Sequence, residues 1–565
     1  MLSIRKIGVL GRTYRHLTRY RQILAVFFKY GFGDLVDLLK IDQYIEIGLQ
    51  MISRNRRERL ERMTRAERVR LAMEELGPTY VKLGQVLSTR PDLIPVDFIK
   101  ELAKLQDEVP PFPFEEVRHI VERELGDVPE RLFDQFDETP QASASIGQVH
   151  HAVIKDGDQV AVKVQRPGIK RTIEVDLEIM LHLATLMERH IEEIAFYRPV
   201  KIVEEFAKTL EREIDYTYEA SNMERVATDF LGERTLYIPK VYRELTTPRV
   251  LTADFIDGIK ISDMEELDAA GLDPREITRR GAHILLRQVF EIGFFHGDPH
   301  PGNIFVLPEN VICLLDFGMV GSVDRHTRED FVDLVDAVVH RHENRTAQVL
   351  LKLTIWDEKP DMRAFEKDVA DFTGRHLYRP LEEINFGRLL QHLLELAAKN
   401  HLAIPPDIFL MMKTLTEVEG VARRLDPRFD IFATAAPFIK QVKLARFHPR
   451  RLTDDFMQLS SSLLQFLHQF PDELLDITRK IRQQKFVLRA ELDGLQTVLE
   501  THDQISNRLS FSIIIAGLII GSSIIVVSEV PPLFYGISLI GIIGFLTGAV
   551  MGIWLLFAIV KKGRL

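Results

Sequence analysis

Cysteine is almost absent from this chain, which has one cysteine, Cys313, among 565 residues. A single cysteine excludes an intrachain disulfide and any zinc site built from cysteine pairs. It is typical of a protein from a reducing, cytoplasmic compartment. Cys313 lies within the apolar run Val311-Ile-Cys-Leu-Leu315, which predicts a buried strand residue rather than a reactive thiol.

The chain also lacks an excess of positive charge. It contains 73 Lys and Arg and 83 Asp and Glu, which gives a formal net charge of −10. A general nucleic-acid binder shows a basic excess, so no nucleic-acid partner is expected. The counts of glycine (32) and proline (26) do not indicate a long disordered tract. A folded chain of this length exceeds a single core of roughly 250 to 300 residues, which predicts at least two structural units.

The N-terminus departs from this acidic balance. The first 30 residues carry seven Lys or Arg and no Asp or Glu, interleaved with apolar residues. Residues 1–60 are therefore predicted to be a basic helical segment on an anionic membrane surface, with a solvated charged helix as the alternative. A signal peptide is excluded, because no apolar stretch of the usual ~7 to 15 residues follows the charges.

Long apolar segments occur only near the end of the chain, at residues 509–528 and 533–560. Each is long enough to cross a membrane, which needs about 20 helical residues. Glu529-Val-Pro-Pro532 between them breaks a helix, so a hairpin of two transmembrane helices is predicted over 509–560. The basic tail after residue 560 then lies in the cytoplasm, and two spans return the N-terminal body to the same side.

Small residues recur within both apolar segments, which would let the two helices approach closely. Glycines lie four residues apart at Gly517 and Gly521 and again at Gly544, Gly548 and Gly552. Glycine is also common in membrane helices in general, which is the alternative explanation.

The remaining chain predicts an α+β fold with two lobes. Alternating β-type runs occupy 140–165 and 236–258, and helical periodicity dominates 325–480. The predicted domains are the basic segment 1–60, a helical extension 61–138, a core 139–440 with lobes 139–258 and 259–440, a helical linker 441–508, and the hairpin 509–560.

Two segments carry the chemistry. His296-Gly-Asp298-Pro-His-Pro-Gly-Asn303 is followed by Asp316-Phe-Gly. An Asp, an Asn five residues later and an Asp-Phe-Gly after a strand are the parts with which kinases hold a substrate hydroxyl and Mg²⁺-ATP. Asp298 is the predicted catalytic residue, and Asn303 and Asp316 are the predicted metal ligands. A zinc site of His296, Asp298 and His300 is the rival interpretation, but no second His/Asp cluster supplies further ligands.

The strand Gln159-Val-Ala-Val-Lys163 offers the lysine that binds ATP phosphates and pairs with a helix glutamate. That partner is Glu213 or Glu219, which cannot both face Lys163 from an unbroken helix. Glu219 is favoured.

The loop that would cover the phosphates is poor in glycine. Its candidate nucleotide-binding residues are Ala142, Ser143, Ala144, Ser145, Ile146, Gly147 and Gln148. Alanine and serine restrict the backbone more than glycine, so a stiffer loop with altered nucleotide preference or turnover is expected. No Ala-Pro-Glu follows Asp316-Phe-Gly, so an ordinary activation segment is not evident.

Three further motifs identify a family. Lys82-Leu-Gly84-Gln85 resembles the Lys-x-Gly-Gln motif of the UbiB (ADCK-like) family of atypical kinases, and Glu213-Ile-Asp215 resembles its Glu-x-Asp motif. Residues 142–148 resemble its alanine-rich loop, with Ser143 as a departure. The resemblance implies an atypical protein-kinase-like, two-lobed fold.

The same resemblance implies roles for these motifs. In the family, the extension carrying Lys82, Gly84 and Gln85 folds over the active site and, with Glu213 and Asp215, occludes the place of a protein substrate. ATP hydrolysis in support of isoprenoid quinone (ubiquinone) biosynthesis is therefore expected, with ATP and Mg²⁺ as cofactors. Membrane lipid, isoprenoid quinone precursors and soluble quinone-biosynthesis enzymes are the implied partners. The expected location is the bacterial inner membrane, with the kinase-like body in the cytoplasm.

Three other functions compete with this one. The Asp298 segment also resembles aminoglycoside and choline phosphotransferases, which suggests a small-molecule or lipid kinase, although those enzymes lack the Lys82 extension. A quinone-ring hydroxylase would need flavin or metal, and neither a Gly-x-Gly-x-x-Gly fingerprint nor a two-His-one-carboxylate site is found. A non-catalytic scaffold is hard to reconcile with Lys163, Asp298, Asn303 and Asp316 all being present.

Overall fold

The computed structural model describes residues 14–33, 63–88, 90, 93–105, 109–191, 199–356, 360–376, 386–446, 457, 495–528, 531–534 and 537–561. The chain divides into two compact units, Met1–Thr453 and Asp454–Leu565.

The first unit begins with helices that carry the Lys82 motif. They are α1 (Tyr14–Lys29), α2 (Arg65–Leu76), α3 (Pro78–Ser88) and α4 (Val96–Leu102). Thr64 and Glu67 form a reciprocal capping box that starts α2, and Gly77 with a φ of 96° ends it. Gly84 lets α3 approach its neighbours, because a Cβ atom there would overlap Leu105 Cδ1.

The packing of helix α1 differs from the prediction that this segment lies on a membrane surface. Its apolar residues Ile23 and Val26 pack in the main core, and Leu24 and Phe28 are also buried. Because this apolar face is covered by protein, it is not available to lipid. An amphipathic pattern is the same for both environments, so the sequence did not separate them. Residues 1–13 and 34–60 of the predicted segment lie outside the described residues.

A five-stranded antiparallel sheet forms the first lobe. The elements in order are α5 (Phe114–Leu125), α6 (Pro129–Leu132), β1 (Phe133–Phe136), β2 (Ala142–Ser143), β3 (Gly147–Ile154), β4 (Gln159–Gln165), α7 (Ile169–His190), α8 (Pro199–Glu213), α9 (Tyr216–Asp229), β5 (Leu236–Tyr237) and β6 (Val250–Asp254). The strand order is β1-β3-β4-β6, with β2 paired to β3.

The predicted boundary at residue 138 is therefore wrong, because β1 already belongs to this sheet through its pairing with β3. Alternate residues of β4 face the core, where Val160, Val162 and Val164 are fully buried. This alternation puts Lys163 on the opposite face of the strand.

The second lobe is mainly helical and carries short strands. Its elements are β7 (Ile259–Lys260), α10 (Met264–Ala269), α11 (Pro274–Arg287), β8 (Phe294–His296), β9 (Ile304–Leu307), β10 (Val311–Leu314), β11 (Val320–Ser322), α12 (Arg325–Val339), α13 (Glu343–Leu353), α14 (Met362–His376), α15 (Phe386–Lys399), α16 (Pro406–Leu425) and α17 (Ile431–Ala445). Strands β5, β10, β9 and β7 form one sheet in that order, and β8 pairs with β11. Cys313 is buried in β10, as the sequence predicted.

The second unit contains α18 (Leu495–Val527), β12 (Leu533–Phe534), β13 (Ile537–Ser538) and α19 (Leu539–Lys561). One segment of the described chain, Leu509–Val527, has the length and mean hydropathy (2.5) needed to cross a membrane. The predicted boundary at 508/509 falls inside α18, which is continuous. Of the predicted linker 441–508, residues 447–456 and 458–494 lie outside the described residues.

The glycines of the two apolar helices have different surroundings. A Cβ atom on Gly544 would overlap Ser522 Oγ, and one on Gly548 would lie 3.0 Å from Ile519 Cγ1. Among the described residues, nothing lies within 4 Å of a Cβ atom built on Gly517 or Gly521, so the predicted packing role is not found for these two glycines. Close approach of α18 and α19 depends on the glycines of α19.

Helix α1 is attached by a bidentate ion pair. Arg19 Nε lies 2.7 Å from Asp176 Oδ1 on α7, and Arg19 Nη2 lies 3.0 Å from Asp176 Oδ2. The same Nη2 donates to the Leu76 carbonyl at 2.7 Å. Because the Asp176 side chain is only 1% exposed, Arg19→Met should leave a buried carboxylate unpaired and cost about 3 kcal/mol.

Thermal unfolding of the detergent-solubilised chain tests this prediction. Arg21→Met, which changes an exposed arginine on the same helix, is the matched control. Equal melting temperatures for the two variants would contradict a structural role for the Arg19–Asp176 pair.

Candidate functional site

Lys163 and Glu219 form the centre of the site. Lys163 Nζ on β4 lies 2.8 Å from Glu219 Oε2 and 3.0 Å from Oε1, so the structure pairs Lys163 with the favoured glutamate. Burial alone would lower the pKa of Lys163, but the carboxylates of Glu219 and Asp316 together raise it above its ordinary value. The lysine therefore carries its charge at physiological pH.

Glu213 takes a different partner because the helix is broken. Helix α8 ends at Glu213 and α9 begins at Tyr216. Asp215 caps α9 by accepting hydrogen bonds from Thr217 N at 3.0 Å and Thr217 Oγ1 at 2.6 Å. Glu213 Oε1 lies 2.5 Å from Lys82 Nζ. Because of this break, Glu219 pairs with Lys163 on the sheet and Glu213 pairs with Lys82 of the N-terminal extension.

The extension contributes charge to the site through Lys82. The nearby cations Lys163 and, to a smaller extent, Lys82 lower the pKa of Asp316 to about 2. Gln85 does not share this location, because its Nε2 contacts the Leu105 carbonyl at 3.5 Å. Of the motif's three residues, Lys82 faces the site, while Gly84 and Gln85 contact the segment after α4.

Asp298 lies two residues after the end of β8, on a loop held by His296. His296 Nδ1 accepts a hydrogen bond from Asp298 N at 3.1 Å, and its Nε2 donates to the Leu315 carbonyl at 2.9 Å. Burial lowers the pKa of His296, so the ring is neutral. Both ring nitrogens are engaged, which gives His296 a structural role and leaves no nitrogen for a zinc ion.

Asn303 and Asp316 supply two oxygen ligands of the kind that Mg²⁺ prefers. Asn303 Nδ2 donates to the Asp298 carbonyl at 3.3 Å, so its amide oxygen is the atom left for a cation. Asp316 has a φ of 55°, and its Oδ1 accepts from Gly318 N at 3.1 Å. Mg²⁺ in nucleotide sites is usually held by one or two protein groups, phosphates and water. Within the described residues, no cluster of three or more His, Cys, Asp or Glu side chains could hold a metal ion. The donor set therefore fits a Mg²⁺–nucleotide complex rather than an all-protein metal cage.

The alanine-rich loop is the turn between β2 and β3. Ser143 pairs with Gln148 across the two strands, and Ala144 N donates to the Gly147 carbonyl at 2.8 Å. Arg166 Nη2 contacts the Ala144 carbonyl at 3.3 Å and holds the turn from outside. Glycine is required at 147, because a Cβ atom there would overlap the Tyr216 hydroxyl.

Two residues predicted to bind nucleotide have other roles. Gln148 is buried, where its Oε1 accepts from Phe112 N at 3.0 Å and its Nε2 donates to the Phe112 carbonyl at 3.3 Å. Ile146 packs its side chain into the main core. The sequence assigned the loop as a whole to the nucleotide, and these two side chains are buried because each occupies the inward face of the turn or of β3. The backbone carbonyl of Ile146 accepts a hydrogen bond from Arg166 N, which helps to hold the turn in place.

Two buried hydroxyl groups, one in the loop and one packed against it, lack a hydrogen-bond partner in the described part of the chain. Ser145 Oγ and the Tyr216 hydroxyl are buried and have no hydrogen-bond partner among the described residues. Lys163 Nζ lies 5.2 Å from the centre of the Tyr216 ring. A buried hydroxyl without a partner costs free energy, which a hydrogen bond to a bound ligand would recover. Tyr216 was not predicted from the sequence.

Lys413 is a second site residue that the sequence did not indicate. Its Nζ, on α16, lies 2.8 Å from Asp298 Oδ1 and 3.3 Å from Glu417 Oε1. Burial raises the pKa of Glu417 to about 7. The sequence contains only the helical i, i+4 spacing of Lys413 and Glu417, which gives no sign of contact with a loop 115 residues earlier.

Known proteins resemble this chain along most of its length. The ABC1 atypical kinase-like domain matches residues 104–350, the UbiB helical domain matches 369–430, and the ABC1/UbiB kinase-like C-terminal domain matches 493–561. A Clostridium pasteurianum protein described as an uncharacterized protein in the hydrogenase 1 5′ region is 31% identical over 97% of this chain and 99% of its own length.

A probable protein kinase UbiB from Aeromonas hydrophila is 36% identical over 75% of this chain and 78% of its own length. Among solved structures, the complex of Rv3197 with erythromycin from Mycobacterium tuberculosis aligns with a TM-score of 0.46 and 24% identity. That alignment covers 63% of this chain and 90% of that one.

Glu417 should make stability depend on pH. Its raised pKa means that the folded chain binds the proton more tightly than the unfolded chain, so its stabilising contribution is lost as pH rises from about 4.5 to about 7. Glu417→Gln removes this titration. The stability of the variant relative to the parent should therefore increase between pH 5 and pH 8, by up to about 3 kcal/mol.

Melting temperatures of both detergent-solubilised proteins at the two pH values measure this difference. Glu395→Gln, which changes an exposed carboxylate on the neighbouring α15, is the matched control. A difference between parent and Glu417→Gln that stays constant with pH would show that Glu417 keeps an ordinary pKa.

Proposed function

This chain belongs to the UbiB family of atypical kinases, and from that premise we propose that it is a membrane-anchored, Mg²⁺-dependent ATPase that supports isoprenoid quinone biosynthesis. The observation that carries the proposal is the grouping of a charged Lys163, an ionised Asp316 and the Asp298–Asn303 loop. These are the groups that kinase-type phosphoryl transfer requires.

Each group has a role in binding Mg-ATP. Lys163 binds the phosphates, and the hydroxyls of Ser145 and Tyr216 donate to their oxygens. Asn303 and Asp316 would hold Mg²⁺, which neutralises phosphate charge when bound. Glu219 keeps Lys163 in place through the ion pair at 2.8 Å.

Asp298 acts on the nucleophile. Its carboxylate accepts a proton from water as the water oxygen bonds to the γ-phosphorus and the bond from that phosphorus to ADP breaks. The proton then passes to solvent, which reaches Asp298 because the side chain is 34% exposed. The products are ADP and inorganic phosphate.

Hydrolysis is proposed in preference to protein phosphorylation. The ion pair between Lys82 and Glu213 ties the N-terminal extension to the end of α8, and Lys82 is close enough to affect Asp316. An extension anchored there would take the space of a protein substrate. In this proposal Gly84 permits the close packing of α3, Gln85 secures the segment after α4, and Asp215 fixes the start of α9.

A small-molecule or lipid kinase is the second candidate. The partial exposure of Asp298 would admit a hydroxyl group in place of water. Isoprenoid quinone precursors, which carry phenolic hydroxyls and apolar tails, suit either mechanism as ligands at a membrane. Analysis of products after incubation with ATP separates the two functions, since only a kinase yields a phosphorylated acceptor.

Membrane attachment is proposed through α18 and α19. Large apolar side chains of both helices are exposed, among them Ile513 (64%), Ile520 (61%) and Ile553 (71%). Exposed apolar surface of this extent requires lipid or another apolar partner. We propose two spans in the bacterial inner membrane, with the kinase-like body in the cytoplasm, where soluble quinone-biosynthesis enzymes would meet it.

Nucleotide binding should separate Lys163 from Lys82. Mg-ATP at 100 times its dissociation constant should stabilise the parent protein by about 2.7 kcal/mol. Lys163→Ala and Asp316→Asn should lose most of this stabilisation, because they remove a phosphate contact and a metal ligand. Lys82→Ala should retain it, because Lys82 is assigned to Glu213.

Thermal shifts with and without Mg-ATP, measured beside ATP turnover, test this prediction. Lys82→Ala should change turnover while binding persists. If Lys82→Ala loses Mg-ATP binding as completely as Lys163→Ala does, the extension is part of the nucleotide site. Its proposed role as a segment that covers the active site would then be wrong.

Membrane attachment should depend on the second unit. A chain that ends at residue 494, before α18, should appear mostly in the soluble fraction after lysis, whereas the full chain should stay with membranes after an alkaline wash. A reporter placed after Leu565 should be accessible only from the cytoplasm. Periplasmic accessibility of that reporter would contradict the two-span topology.

A further inference from the structure

Helix α16 presents one continuous face to the loop that carries Asp298. Leu410, Lys413, Thr414 and Glu417 follow helical i, i+3, i+4 and i+7 spacing and so share a side of the helix. Thr414 Oγ1 donates to the His296 carbonyl at 3.2 Å. Leu410 packs at Gly297, where a Cβ atom would lie 3.3 Å from Leu410 Cδ2. The position of Lys413 is thus fixed by contacts on both sides of it.

Lys413 lies between the side chains of Asp298 and Glu417. Its Nζ is 2.8 Å from Asp298 Oδ1 and 3.3 Å from Glu417 Oε1, and the lysine side chain is 26% exposed. Burial by itself would lower the pKa of Lys413, but the two carboxylates raise it. The group next to Asp298 is therefore an ammonium ion with a fixed location.

The loop itself provides no permanent cation for Asp298. Pro299, His300, Pro301 and Gly302 separate Asp298 from Asn303. His300 Nε2 lies 3.9 Å from Asp298 Oδ2, beyond hydrogen-bond distance. Its Nδ1 instead accepts from Gly302 N at 2.9 Å, which closes the turn before Asn303. In the described part of the chain, the lysine or arginine paired with Asp298 comes from α16.

We propose that Lys413 is a positioning residue for phosphoryl transfer, and that Glu417 positions Lys413 in turn. The ammonium group engages Asp298 Oδ1, so Oδ2 is the oxygen that accepts the proton of the attacking hydroxyl or water. General-base catalysis depends on this geometry, because the proton acceptor must lie within hydrogen-bond reach of the nucleophile. The inference rests on the proposed phosphoryl transfer and adds to it a residue of the helical region 369–430.

Kinetics of the full chain in liposomes test the role of Lys413. General-base catalysis contributes about 10² to 10⁴ in rate, and Lys413→Met should forfeit part of it, lowering kcat by about 10- to 100-fold. The KM for ATP and the Mg-ATP thermal shift should stay unchanged, because Lys413 does not bind the nucleotide. Lys413→Arg should recover much of the lost kcat, since a guanidinium group also donates to a carboxylate.

Lys399→Met is the matched control. Lys399 pairs with Asp368 at 2.7 Å on the neighbouring helices α15 and α14, is 68% exposed, and has no role in the site. Its variant should keep the parent kcat. Asp298→Asn should give the lowest kcat of the series, because it removes the proton acceptor itself.

Two results would overturn the inference while the proposed function stands. One is an active parent protein with an equal kcat in Lys413→Met. The other is a fall in melting temperature with kcat and KM changing together and no recovery in Lys413→Arg, which is the behaviour of a packing residue. A parent protein that neither binds nor hydrolyses ATP would instead overturn the proposed function, and this inference with it.

Discussion

The ion pair between Lys163 and Glu219 is the contact on which the site depends. It joins the central strand of the first lobe to the first turn of α9, with Nζ–Oε distances of 2.8 and 3.0 Å. Glu219 is buried, so removal of Lys163 would leave its carboxylate without compensation, a change that typically costs about 3–5 kcal/mol. The pair fixes the distance between sheet and helix at this point, and the charge that it holds in place is the main cause of the lowered pKa of Asp316.

The break between α8 and α9 extends this arrangement to the N-terminal helices. Two residues, Ile214 and Asp215, separate the helices, and the carboxylate of Asp215 is used as a cap. A continuous helix would have placed Glu213 and Glu219 on different faces. With the break, Glu213 reaches Lys82 while Glu219 keeps Lys163. The extension is therefore linked to the start of the Lys163–Glu219 region by charge as well as by packing.

The sequence was sufficient where the chemistry is local. Asp298, Asn303 and Asp316 lie within one short stretch, and their spacing alone indicated one site. It was insufficient where position depends on register or on distant contacts. The burial of the Gln148 side chain was not predicted because its face of β3 follows from strand pairing, and Lys413 was missed because its partner lies 115 residues away. The apolar face of α1 matched a membrane-surface helix because the pattern does not specify what covers it.

Two lysines from other regions form ion pairs at the site. Lys82 of the extension pairs with Glu213, and Lys413 of α16 pairs with Asp298. Both ion pairs are partly exposed, with side-chain exposures of 15% to 34%, so each is expected to contribute about 0–1 kcal/mol. In the proposed function, the Lys82–Glu213 pair can be exchanged when a nucleotide brings negative charge into the site, whereas Lys413 is also held in place by the contacts of Thr414 and Leu410 beside it. The buried Lys163–Glu219 pair would cost much more to disrupt. The site thus keeps its frame through the Lys163–Glu219 pair and the α16 contacts, while the ion pair of the N-terminal extension is the one that can be exchanged.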